Sequence, residues 1–266
     1  MLKATFKHAA RVCALDLRSA RWRLLEIWGR SADSLGVTQP EPSGVMSAEG
    51  EPGAPSDFLL ELAVALIRRT REVRKLPALE ERGAPSLIYQ WPGEHYRLLS
   101  AIMQELEPKR VVEIGTFSGL STLAMLPELK SDARLTTFDM ISWYTIPTTY
   151  LRENDFSDGR LSQVIGDLAL PSVFGRYASV LREADVLFID GPKNYVFEKR
   201  LIGNFNRLGL KPHALLVFDD TRFWNMIEIW RAIHQPKLDF SSFGHWSGTG
   251  LVEWPAPALP VSGASV

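Results

Sequence analysis

The chain has 266 residues, 45% hydrophobic and 23% charged, with a formal net charge of −1. This is ordinary globular composition, and the near-neutral balance excludes a broad positive field for nucleic acid. One cysteine, Cys13, excludes an internal disulfide framework and a cysteine-rich zinc site; no apolar run reaches the roughly 18–20 residues of a membrane span.

Residues 1–30 read as an amphipathic basic helix. Leu2, Phe6, Ala9, Cys13, Leu17, Ala20, Leu24 and Ile27 recur near helical spacing, and Lys3, Lys7, Arg11, Arg18, Arg21 and Arg23 outnumber Asp16 and Glu26. A helix of this kind either lies on a membrane surface or, more commonly, packs on its own domain or on a second subunit. The N-terminus lacks the apolar centre of a secretory signal, so a cytoplasmic location is expected. Residues 31–56, rich in Ser, Pro, Gly and Glu and without Lys or Arg, form a flexible linker.

Ser56 or Asp57 can cap the next helix. It runs to about Lys75 with Leu59, Leu62, Ala63, Leu66, Thr70 and Val73 on one face, and Pro77 ends it. Glu80 to Ser86 is a loop. Residues 57–84 thus make a helical extension ahead of a main domain at 85–257 and a tail at 258–266. A helix at about 93–106 leads into alternating elements. Strands are expected at Arg110–Ile114, Arg134–Asp139, Leu161–Ile165, Asp185–Ile189 and Ala214–Phe218, with helices at about 119–130, 147–154, 171–182, 194–208 and 222–233. This alternation predicts a parallel α/β sheet. Two last strands, about Asp239–His245 and Gly250–Trp254, should form an antiparallel hairpin.

In such sheets ligands bind beyond the carboxyl ends of the strands. The first strand ends in VVEIGTFSGLST, residues 111–122. Gly115 and Gly119 allow a tight turn and a close approach of backbone to ligand, and Ser121 and Thr122 follow at a helix N-terminus suited to a carboxylate. The third glycine of the dinucleotide fingerprint is absent. Asp139 closes the second strand at the spacing that suits a ribose diol. Together these residues point to an adenosine-bearing ligand without separating NAD from S-adenosylmethionine. Asp167, after the third strand, either accepts from an adenine amine or caps the helix from Pro171. The fourth strand ends in DVLFIDGPKNY and the fifth in LLVFDDT, so Asp190, Asp219 and Asp220 stand at neighbouring strand ends. Three convergent carboxylates repel unless a cation lies between them, and hard oxygen donors suit Mg2+ or another divalent ion. The alternative is that one or two of them cap helices.

The order and spacing of these motifs resemble the class I S-adenosylmethionine-dependent methyltransferases, and within them the catechol and caffeoyl-coenzyme A O-methyltransferases with their bacterial relatives, over about residues 85–255. The resemblance implies a Rossmann-like, doubly wound, mostly parallel seven-stranded sheet with a C-terminal antiparallel hairpin, preceded here by additional N-terminal helices. It implies that Glu113, Gly115, Phe117 and Ser121 hold the methionine moiety, that Asp139 binds the ribose, that Asp190 binds the metal, and that Lys193 is the general base. The family's fifth-strand pair is Asp-Asn, whereas this chain has Asp219-Asp220; Gly191-Pro192 replaces a bulkier pair. The implied activity is methyl transfer to a hydroxyl of a small-molecule acceptor: a sugar, a phenol or a natural-product intermediate, with nitrogen acceptors still open. The N-terminal helices would cover the active site or mediate a homodimer, and no nucleic-acid partner is expected.

His95 could reach the site from its helix, although helix histidines are more often structural. His213 should be exposed. His245 and Trp246 would line an acceptor pocket or simply pack. Trp143 and Tyr144 would meet adenine or cover the sheet edge, while Trp224 and Trp230 belong to core or interface. Two other readings compete. An NAD-dependent oxidoreductase shares the strand–turn–helix and the ribose acid, but the missing glycine and the aspartate cluster argue against it. A non-catalytic cofactor-binding or docking protein would work through the basic helix.

Overall fold

The computed structural model describes residues 53–89 and 94–254. The basic helix expected over residues 1–30, most of the linker and the tail lie outside the described residues. The described chain runs α1 (Asp57–Glu72), α2 (Pro77–Glu80), α3 (His95–Leu106), β1 (Arg110–Ile114), α4 (Leu120–Met125), β2 (Arg134–Asp139), β3 (Leu161–Ile165), α5 (Pro171–Arg176), α6 (Ala178–Arg182), β4 (Val186–Ile189), α7 (Val196–Leu208), β5 (Ala214–Asp219), α8 (Met226–Arg231), β6 (Lys237–Asp239) and β7 (Thr249–Trp254). Among the described residues no helix is long and apolar enough to cross a membrane.

All seven strands form one sheet in the order β3-β2-β1-β4-β5-β7-β6. β1 to β5 are parallel, and β7 runs antiparallel to both β5 and β6. The order reverses between β1 and β4, and this switch point opens a crevice at their carboxyl ends. The fold is therefore the Rossmann-like sheet expected from the motifs.

The central strands β1, β4 and β5 read as near-continuous apolar runs because both of their faces are covered. Alternate residues feed two cores. Val111, Leu135, Val186, Phe188, Leu215 and Val217 pack with α1, α2, α3 and α4 on one face. Val112, Phe138, Leu187, Ile189, Leu216 and Trp254 pack with Phe174, Leu201, Phe205 and Trp230 on the other. Helix α1 begins where expected: the Ser56 hydroxyl accepts from the Leu59 N–H at 3.2 Å and donates to Glu253 on β7 at 2.5 Å. The face expected to be apolar, Leu59 to Val73, is the buried one.

Several boundaries differ from the sequence expectation, among them a split of the helix expected at 171–182 into α5 and α6 and a shortening of the one at 119–130 to α4. Helix α1 stops at Glu72, and Pro77 opens α2 at its first position, where a missing N–H costs nothing. The helix expected at 147–154 is replaced by irregular chain and a single 3-10 turn at Glu153–Phe156. Pro147 and the β-branched Thr148 and Thr149 disfavour a helix there. Tertiary contacts then fix the segment: the Arg82 guanidinium grips Asp155 through two bonds of 2.6 Å and donates to the Tyr150 carbonyl. The strand expected at Asp239–His245 is only Lys237–Asp239. Its remainder folds back, with the Gly244 N–H donating to the Phe240 carbonyl, so residues 240–248 form a loop over the carboxyl edge of the sheet. The helix expected at about 222–233 is only α8, Met226–Arg231, so Trp224 falls in the loop ahead of it.

Candidate active site

The turn after β1 and the end of β2 are tied together. Asp139 accepts from the Thr116 and Phe117 N–H groups at 3.0 and 2.8 Å through one oxygen, and from the Ile141 N–H at 3.0 Å through the other. A carboxylate offers about four lone-pair sites, so with three N–H bonds accepted about one remains for an added hydroxyl. Around it Phe117, Met140, Ile141 and Ile165 are 66%, 69%, 54% and 52% exposed. An apolar rim around a fixed carboxylate offers a flat surface for an aromatic ring beside an acceptor for a hydroxyl group.

Glu113 lies beneath this turn, fully buried. Ser121 and Thr122 each donate a hydroxyl to it at 2.6 Å. Burial pushes its carboxyl up to about 7 despite those bonds. Ser121 thus turns its hydroxyl inward, and Glu113 braces the turn from below. Asp167 accepts from the Ala169 N–H at 2.8 Å in the turn that leads into α5.

Gly115 has φ 105°, and a side chain there would overlap the Asp190 carbonyl oxygen. Glycine is what lets the ends of β1 and β4 touch. This contact sets the aspartate cluster beside the turn. Asp190, Asp219 and Asp220 converge, as expected from their strand ends. The Lys193 ammonium sits among them, bonded to Asp190 and 2.7 Å from Asp220. Its side chain is largely buried, so it is not a surface ion pair. Burial works against its charge, but Asp190, Asp220 and Asp219 outweigh it and hold Lys193 above the ordinary lysine value. Asp190 is displaced upward by burial and by Asp219. Asp220 is held well below the usual carboxylate range: burial opposes this, and His245, Lys193 and Ser247 outweigh it. Glu198 accepts from the Lys193 N–H at 2.8 Å and fixes the loop.

Two histidines complete the cluster. His245 lies 3.0 Å from Asp219 and 3.4 Å from Asp220 through Nδ1. Although burial opposes it, these carboxylates raise the imidazole to about 10. His95, buried on α3, lies 3.7 Å from Asp219, and burial pushes its imidazole down. Ser247 donates to Asp220, and Tyr96 is pushed up by burial and by the nearby Asp190 and Asp219 charges. Spacing gave no hint of Ser247 or Tyr96, because each arrives by tertiary folding. The other aromatic side chains divide: Trp143 stacks on Phe156 at 5.1 Å and Trp230 is core, while Tyr144, Trp224 and Trp246 are exposed. His213 is exposed too, with its ring on Glu253 at 2.5 Å.

Phe117, Lys193, Tyr195, Asp220 and Trp224 all have left-handed φ angles, between 40° and 69°. Each costs on the order of 1 kcal/mol or more, and such strain persists where the surroundings over-determine it, often at functional sites. The charge balance has the same direction. Three acidic groups, Asp190, Asp219 and Asp220, face two basic ones, Lys193 and His245. That donor set fits a divalent cation held by Asp190, Asp219 and Asp220.

Residues 112–221 match a protein-family model described as a methyltransferase domain. No curated protein matches in sequence. Among solved structures, a methyltransferase from Geobacter sulfurreducens is similar, with 18% identity, a TM-score of 0.49, and 66% of this chain and 87% of that one covered. An O-methyltransferase from Bacillus cereus in complex with SAH has 16% identity, a TM-score of 0.45, and 66% and 89% coverage. The O-methyltransferase TomG of tomaymycin synthesis from Streptomyces achromogenes, in complex with SAM, has 18% identity, a TM-score of 0.43, and 71% and 89% coverage.

Proposed function

We propose that this chain, whose residues 112–221 match a methyltransferase-domain model, is a class I S-adenosylmethionine-dependent methyltransferase that transfers the methyl group to a hydroxyl of a small-molecule acceptor. One observation carries the choice of oxygen: a buried acid–base cluster of three aspartates and Lys193 abuts the glycine turn through the Gly115–Asp190 contact. The nicotinamide alternative lacks both the third glycine and any use for that cluster.

The reaction is an in-line displacement. The acceptor oxygen forms a bond to the methyl carbon, the carbon–sulfur bond breaks, and sulfur keeps the electron pair as a thioether. The protein must hold the oxygen about 3 Å from the methyl group and remove its proton. The turn at 115–119, Asp139 and the apolar rim orient the donor. In the reading that assigns the base to Lys193, its Nζ receives the proton. The carboxylates around it keep it an ammonium, so it can accept a proton only when another cation offsets their charge. A divalent ion held by Asp190, Asp219 and Asp220 would supply that charge and acidify the acceptor hydroxyl.

The test is methyl transfer from isotopically labelled S-adenosylmethionine to a panel of phenols, sugars and amines, with the intact protein and with Lys193→Met. Label on oxygen, falling at least 100-fold in the variant, supports the proposal. Label confined to nitrogen, or full turnover by Lys193→Met at saturating acceptor, overturns it.

A further inference from the structure

We infer that Asp219 and the imidazoles of His95 and His245 form a distinct cation site, suited to a borderline divalent transition metal such as Co2+ or Zn2+ rather than to Mg2+. It lies at the methyl-transfer site proposed above and adds to that reading, but its donors stand on their own. Asp219 ends β5, His95 opens α3, and His245 comes from the 240–248 loop, so three separate elements converge on one point.

The partners divide unequally. Lys193 holds Asp190 and Asp220, so an ion seated among the three aspartates must displace an ammonium group. Asp219 is left to the two histidines, of which His245 also lies 3.4 Å from Asp220. The Asp219 Oδ1 lies 3.0 Å from His245 Nδ1 and 3.7 Å from His95 Nδ1. A tetrahedral ion with bonds of about 2.1 Å spaces its ligand atoms at about 3.4 Å, between those two values. The imidazole rings have centroids 4.8 Å apart and are tilted 35° to each other. A donor set of two imidazoles and one carboxylate selects borderline metals, whereas Mg2+ demands an octahedron of oxygens.

The surroundings are those of a fixed site. His95 and Asp219 are buried and His245 is partly exposed, leaving three protein donors and one open side, the pattern of a catalytic rather than a structural metal. His95 packs edge-on against Tyr96 at 4.8 Å and against Phe188 at 5.5 Å. The His245 backbone N–H donates to Thr249 Oγ1 at 2.7 Å, which pins the loop to β7. Because Asp219 belongs to both donor sets, the two ions would compete for it.

The experiment is calorimetric titration of Co2+ and of Mg2+ into the full chain, with pulsed electron paramagnetic resonance of bound Cu2+ to detect imidazole nitrogen. We expect nitrogen couplings in the unaltered protein, Co2+ at least tenfold tighter than Mg2+, and at least a tenfold loss of Co2+ affinity in His245→Gln. Cu2+ bound without nitrogen coupling, or Co2+ affinity unchanged in His245→Gln, would overturn the inference. The spectroscopic arm needs no variant and so does not depend on how His245→Gln folds. Titration of S-adenosylhomocysteine into the same metal-free protein judges the methyltransferase reading separately, so the two can fail independently.

Discussion

Replacing Gly115 by alanine tests whether β1 and β4 must touch for the site to exist. The backbone there has φ 105°, which L side chains rarely adopt. An added methyl group would overlap the Asp190 carbonyl oxygen and lie 3.0 Å from its carbon. Backbone strain of this kind costs about 1–3 kcal/mol, and forced overpacking about another 1–3. The expected loss is therefore about 2–6 kcal/mol. Gly83 supplies the control: it has φ 70°, but nothing lies within 4 Å of a methyl group added there. Gly83→Ala should lose only the backbone part, about 1–2 kcal/mol. Urea denaturation followed by circular dichroism measures both. If Gly115→Ala proves no less stable than Gly83→Ala, the strand contact does not set the spacing between the turn and the aspartates.

Glu113→Gln should change stability with pH. A buried acid raised from 4.5 to about 7 keeps its proton in the folded state after the unfolded chain has lost it, so stability falls as pH rises from about 4.5 to 7. For Glu113 that fall is about 3 kcal/mol, and the amide removes it. The variant should match the native chain near pH 5 and exceed it near pH 8; a difference independent of pH refutes the assignment. Arg82→Ala breaks a largely buried ion pair with Asp155 and should cost about 3 kcal/mol or more in urea denaturation, with faster proteolysis within 148–156. An unchanged cleavage pattern would show that Arg82 does not hold that segment. Ser56→Ala removes the cap of α1 and its bond to Glu253, for a loss of about 1–2 kcal/mol in the same assay. A loss below a few tenths would show that this end of α1 is held by packing alone.

The central strands are legible because a parallel sheet covered on both faces writes itself as short apolar runs, such as VLFI and LLVF, closed by an aspartate at the carboxyl edge. The same rule places Asp139, Asp190 and Asp219 at the carboxyl edge from the sequence alone. It did not reveal the state of Lys193. Its side chain lies between Asp190 and Asp220, and its charge depends on Asp190 three residues before it and on Asp219 and Asp220, which only the fold brings near. The loop at 240–248 carries Phe240 and Phe243 as a strand could, but local bonds from the Phe243 and Gly244 N–H groups to the Phe240 carbonyl turn it back. The 147–154 segment failed for a different reason: its conformation is set by Arg82, about 70 residues upstream.

The most direct measurement is calorimetric titration of S-adenosylhomocysteine into the native chain and into Asp139→Asn, which keeps one carbonyl acceptor for the Thr116 and Phe117 N–H groups. We predict micromolar binding by the native chain, weakened at least tenfold in the variant. No binding by a folded native chain would contradict the assignment of the carboxyl edge of β1 and β2 as the S-adenosyl site.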